Sequence, residues 1–105
     1  MYFIISAYDH PYEDIDDEVL KKIYPLKDIQ FLIETATRKQ LSCLRFISLD
    51  STTYFNQKQS LEIKNFEIPK LRSNSTINQE LINALEQIIE LVAEGYQFLK
   101  IEPLS

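Results

Sequence analysis

The apolar positions of this chain change period several times, and the changes divide it into elements. Residues 2 to 8, "YFIISAY", form a continuous β-branched and aromatic run bounded by Asp9, His10 and Pro11, which predicts a buried strand. Val19, Leu20 and Ile23 share one helical face before Pro25, whose ring disfavours helix at Tyr24, so a short helix is expected over about 16–23. From Leu26 the positions Leu26, Ile29, Leu32, Ile33 and Ala36 recur at spacings of three and four, and Arg38 and Lys39 follow where cations suit the helix dipole. A second helix is expected to about Lys39.

"LSCLRFISLD", residues 41–50, has apolar residues on both parities, as a strand covered on both faces would. "SLEIKNFEI", residues 60–68, alternates Leu61 and Ile63 with Glu62 and Lys64, as a strand with one wet face would. Between them Thr52, Thr53, Tyr54 and Phe55 are strand formers that could extend the sheet, with no turn placed; residues 69–76 read as a loop. In "STINQELINALEQIIELVAEGYQFLKIEP", Thr76 and Gln79 suit a capping box, and Ile77, Leu81, Leu85, Ile88 and Val92 form a helical stripe. Gly95, the single glycine, stands where a left-handed C′ residue is wanted, so a helix over 77–94 is expected. A last strand follows over about 96–102, with Leu99 and Ile101 on one face and Pro103 ending it. The order β, α, β, β, α, β predicts an α+β fold: a largely antiparallel sheet with helices on one face, matching the ferredoxin-like βαββαβ arrangement.

The chain has 105 residues, 45% hydrophobic and 26% charged, which fits one globular domain spanning 1–105. Its lone Cys43 excludes an intrachain disulfide and any multi-cysteine metal knuckle. The opening apolar run lacks a basic leader and is far too short for a membrane span, so a cytoplasmic protein without membrane contact is expected.

Charge alters this picture once it is located. The net charge is −5, yet Asp9, Glu13, Asp14, Asp16, Asp17 and Glu18 all fall within ten residues, and elsewhere eleven basic side chains face ten acidic ones. A local field of one sign attracts a partner of the other, so a basic protein is favoured over nucleic acid. One glycine excludes phosphate cradles, dinucleotide fingerprints and nucleophile elbows. Cys43 in an apolar run reads as a small core residue, and His10, the single histidine, as a loop residue that could at most complete a mixed site with Asp9, Glu13 and Asp14. No catalytic residue, cofactor or metal is expected.

The acidic stretch admits two explanations. Asp14, Asp16, Asp17 and Glu18 suit the first turn of a helix, where each gains about 0.3–1 kcal/mol from the dipole. Asp9 and Glu13 precede that turn, and Tyr8 and Tyr12 add contact area of the kind found in binding hot spots. The expected partner-binding residues are therefore Tyr8, Asp9, Tyr12, Glu13, Asp14, Asp16 and Asp17.

A concentrated carboxylate patch, no catalytic groups and the ending "ALEQIIELVAEGYQFLKIEPLS" resemble bacterial immunity proteins of contact-dependent growth inhibition systems. The helix, "EG", strand ending is also similar to barstar-type ribonuclease inhibitors, while the β, α, β, β opening departs from their pattern. The resemblance implies an inhibitor, monomeric when free, that occludes the active site of a basic toxin nuclease domain, a ribonuclease for preference. A homodimeric ferredoxin-like sensing domain and a phage-encoded inhibitor of a host nuclease are the other readings.

Overall fold

A computed structural model describes residues 1–8, 21–74 and 76–104. Strand β1, Tyr2–Tyr8, pairs antiparallel with β2, Lys21–Pro25, and with β4, Phe98–Leu104; β3, Thr53–Asn56, pairs antiparallel with β4. The sheet order is β2-β1-β4-β3. Helices α1, Leu26–Arg38, α2, Gln57–Glu62, α3, Ile68–Arg72, and α4, Gln79–Glu94, complete an α+β fold. The first and last strands form the centre of the sheet. Among the described residues the order is ββαβαααβ and no helix joins two parallel strands, so the ferredoxin-like βαββαβ pattern is not followed.

One core lies between the helices and one face of the sheet. Phe3 and Ile5 of β1, Phe55 of β3 and Leu99 and Ile101 of β4 meet Ile29, Leu32 and Ala36 of α1 and Leu81, Leu85, Ile88, Ile89 and Val92 of α4. The two long helices present these residues at spacings of three and four, as their sequences predict.

The end of α1 is set by Gln40, which takes φ 55°. Leu41 N donates to Ala36 O at 2.9 Å and Gln40 N to Thr37 O at 3.1 Å, the two bonds of a Schellman motif, with a non-glycine residue in the left-handed position. Leu41 is buried just beyond it.

Several expected elements differ. Residues 21–23 are strand rather than helix. Lys21–Pro25 pairs along Tyr2–Ser6, the residue before Pro25 is extended as proline requires, and Tyr24 packs toward the core while its hydroxyl donates to Glu80 O at 3.1 Å. Ile23, expected on a helix's apolar face, is 58% exposed.

Residues 41–50 form no strand. Cys43 precedes a single 3-10 turn, Leu44–Phe46, which turns Leu41, Cys43, Leu44 and Ile47 inward together and leaves Phe46 exposed. The double-parity pattern marked a curled segment.

Residues 60–68 are helical. Asn56 and Gln59 form the capping box that starts α2: the Asn56 side chain accepts from Gln59 N at 2.8 Å, and Gln59 Oε1 accepts from Asn56 N at 3.0 Å. A widened π turn, Ile63–Glu67, joins α2 to α3 just ahead of Pro69, where a regular helix would meet a missing donor and the proline ring. Ser60, Ile63, Glu67, Ile68 and Leu71 are buried, and Leu61 of the alternating pattern is exposed. Residues 69–72, expected as loop, belong to α3.

Helix α4 begins two residues late, because Asn78 rather than Thr76 caps it, accepting from Glu80 N at 2.9 Å. Thr76 instead bonds Asn74 Oδ1. Gly95 ends the helix with φ 159° and ψ −13°, well away from the left-handed helical well expected there. Strand β4 runs on to Leu104, through Pro103. It can do so because β3 reaches only as far as Thr53 opposite Ile101, which leaves β4 a local edge at Pro103.

Candidate functional site: the open face of the sheet

Strands alternate their side chains between two faces. The helices cover the face carrying Phe3 and Ile5, and the opposite face carries Tyr2, Ile4, Ser6 and Tyr8 of β1. The cross-strand register assembles this open face in rows: Tyr8 with Phe98 and Asn56; Lys21 with Ser6, Lys100 and Tyr54; Ile23 with Ile4 and Glu102; Pro25 with Tyr2 and Leu104.

Three aromatic rings meet at one end. Tyr8 and Phe98 are direct cross-strand partners with centroids 6.3 Å apart, and Tyr54, diagonal to Phe98, lies 5.7 Å from each of them. Tyr54 and Phe98 meet edge to face at 72°, which aligns positive ring edges with negative ring faces, while Tyr8 is tilted by 55° and 42° against the two. Lys100 Nζ sits 4.8 Å from the Tyr8 centroid and 3.4 Å from Glu102 Oε2, so its charge is shared between a π face and a carboxylate. Tyr54 remains 46% exposed. This end of the sheet therefore carries a partly exposed aromatic cluster bordered by the Lys100–Glu102 ion pair.

Of the expected partner-binding residues, Tyr8 belongs to this cluster. Asp9, Tyr12, Glu13, Asp14, Asp16 and Asp17 lie outside the described residues, as do Val19, Leu20 and His10. The chain leads from Tyr8 directly into Asp9 and returns at Lys21, both on the open face. Tyr54, Phe98 and Lys100 were missed as site residues. For Phe98 and Lys100 the signal was available: placing Leu99 and Ile101 inside puts both of them outside. Tyr54 stayed hidden because no turn fixed the parity of its strand.

A second polar centre is structural. Glu67 is only 2% exposed, and its carboxylate accepts from Leu44 N at 2.9 Å and from Cys43 N at 3.2 Å and 3.3 Å, satisfying the amides that open the 3-10 turn. Ser42 Oγ donates to Glu62 Oε1 at 2.7 Å beside it. Burial, followed by the Glu67 charge, pushes the Cys43 thiol up to about 11, the reverse of what an activated nucleophile requires. Burial, and then the charges of Glu80 and Asp28, also raise the pKa of Tyr24. Among the described residues no three metal-binding side chains come together, and no helix is long and apolar enough to cross a membrane.

Comparison with protein-family models, curated proteins and solved structures finds no match.

Proposed function

We propose that this protein is an inhibitor of a basic protein, an immunity protein whose partner is a toxin nuclease domain, most simply a ribonuclease. The observation that carries this reading is that six of the sixteen acidic residues follow directly on Tyr8, a member of the exposed aromatic cluster. Nuclease active sites are basic because they hold phosphates, and a carboxylate-rich surface competes for the same groups. Asp9, Glu13, Asp14, Asp16 and Asp17 act as partners of the toxin's lysines and arginines, with Tyr8 and Tyr12 as apolar anchors. The protein performs no chemistry itself and works in the cytoplasm by occluding the active site.

The test is co-expression with the product of the gene immediately upstream, followed by binding kinetics with that product. Restored growth, and association that slows at least 10-fold as salt rises and the Debye length falls from about 30 Å to under 5 Å, support the proposal. Asp16→Lys with Asp17→Lys abolishes protection without lowering the melting temperature. Growth that is not restored, or association flat in salt, overturns it.

A further inference from the structure

We propose that segment 38–72 binds single-stranded nucleic acid on its exposed side, with phosphates held by Lys39, Arg45 and Lys70 and bases stacked on Phe46 and Phe66. This site is separate from the acidic stretch and does not depend on the inhibitor reading. The near-even charge outside residues 9–18 hides an uneven distribution: residues 38–72 hold seven of the eleven basic side chains and only three of the sixteen acidic ones. Of those three, Glu67 is buried on backbone amides, Glu62 accepts from Ser42 Oγ at 2.7 Å, and Asp50 belongs to the loop before β3. A basic segment in an acidic chain is the electrostatic footprint of a site for a polyanion.

Tertiary contacts gather these groups. The Ser42–Glu62 bond and the bonds from the Cys43 and Leu44 amides to Glu67 hold residues 42–44 against residues 62–67. Lys39 comes three residues before Ser42, within about 11 Å along the chain. Arg45 and Phe46 follow Leu44 in the 3-10 turn, and Phe66 precedes Glu67 in the widened π turn, a distortion frequent at functional sites. Lys70 lies one helical turn beyond Phe66. Phe46 and Phe66 are 64% and 63% exposed, more than any other large hydrophobic side chain among the described residues. The Arg45 guanidinium stands 4.6 Å from the Phe46 ring centroid, so a base on this ring would sit beside a cation that can reach its phosphate. Among the described residues Lys39, Arg45 and Lys70 have no carboxylate partner, whereas Lys64 and Arg72 of the same segment are paired with Glu90 and Glu86 of α4. The bare rings favour a single strand over the other polyanions. Every unpaired base offers them a π-face, a duplex keeps its bases stacked inside, and an acidic peptide brings carboxylates without flat groups.

Fluorescence anisotropy of an end-labelled oligouridine of about 20 nucleotides, titrated with the full chain at about 50 mM salt, tests the site. A Kd of about 10–100 µM is expected, and log K should fall against log salt with a slope of about −2, since three phosphate contacts each contribute about −0.7. Phe46→Ala and Phe66→Ala, both at exposed positions, each weaken binding by about 5-fold or more. Arg45→Glu weakens it by about 10-fold, while Lys27→Glu, the same charge change near the opposite end of α1, alters it by less than about 2-fold. No binding up to about 1 mM overturns the proposal, as do equal losses from Arg45→Glu and Lys27→Glu. Binding that survives both alanine substitutions also overturns it, because the rings then hold no base. So does a duplex of equal length, or polyglutamate, bound as tightly as the oligouridine, the second of these marking a site for acidic protein segments. Should Arg45→Glu prove unfolded by its melting curve, the two alanine variants decide alone.

Discussion

The two faces of one sheet make opposite use of similar residues. On the inner face Phe3, Ile5, Leu99 and Ile101 have no exposed surface, and their rings and branches fill a close-packed core. On the outer face, one residue along the same strands, Tyr8 and Phe98 remain partly accessible beside Tyr54, and a lysine and a glutamate stand between them and the apolar end. The aromatic content of both faces is comparable. What differs, among the described residues, is the cover: α1 and α4 pack on the inner face. The inner aromatics therefore fill the core, while the outer ones pack on one another and keep part of their surface accessible.

This contrast can be broken at measurable points. Phe3→Ala should be the costliest change, about 3–5 kcal/mol in chemical denaturation, because a fully buried ring leaves a cavity that cannot collapse. If it costs no more than an outer-face change, the assignment of faces is wrong. Glu67→Ala comes next at about 2–3 kcal/mol, since it strips two buried amides of their acceptor; Glu67→Gln, which keeps one carbonyl oxygen, should cost distinctly less. Equal losses for the two variants would remove the capping role.

Gly95→Ala should cost about 1 kcal/mol through backbone strain alone, because a Cβ there meets nothing within 4 Å. Gln40→Gly should move the other way, raising stability by up to about 1 kcal/mol, since a side chain at φ 55° is strained and the Schellman bonds are made by backbone groups. A neutral result at Gly95 together with a loss at Gln40 would reverse the account of the two helix ends. Tyr54→Ala should have the smallest effect on the melting curve, under about 1 kcal/mol, and a loss as large as that of Phe3→Ala would erase the difference between the faces.

Cys43 adds a pH dependence whose sign is set. Its thiol has a higher pKa in the fold than its ordinary value of 9.0, so at alkaline pH the unfolded chain gives up the proton first. The contribution to stability is fully present below about pH 9 and is lost as pH rises toward about 11. Alkylation of the native protein by iodoacetamide at pH 8 should accordingly be slower than that of the unfolded chain by more than about 10-fold. Rapid native alkylation would place the thiol at the surface.

Much of the fold was legible in the residues because some segments carry their own instructions. Strand β1, helix α1 and the body of α4 followed from periodicity, since each buries a stripe that only one conformation can assemble, and the α+β class followed from them. The segment 41–72 was misread because its apolar residues face the core from turns of several kinds. Leu61 and Ile63 alternate with charges by composition, yet the capping pair Asn56 and Gln59, present in the sequence, starts a helix that the widened turn before Pro69 then redirects. Lys21–Pro25 became a strand because β1 offered an unsatisfied edge, and no local pattern encodes a neighbour's free hydrogen-bonding groups. The sequence by itself determined where charge is concentrated and which long segments are amphipathic, both being properties of residue order. Only the tertiary structure decided that the last strand lies beside the first, that Glu67 closes the 3-10 turn, and that Tyr8, Tyr54 and Phe98 meet on the face of the sheet turned away from the helices. Those are pairings between residues distant in the chain, and strand register, which sets them, follows from how the whole core is buried.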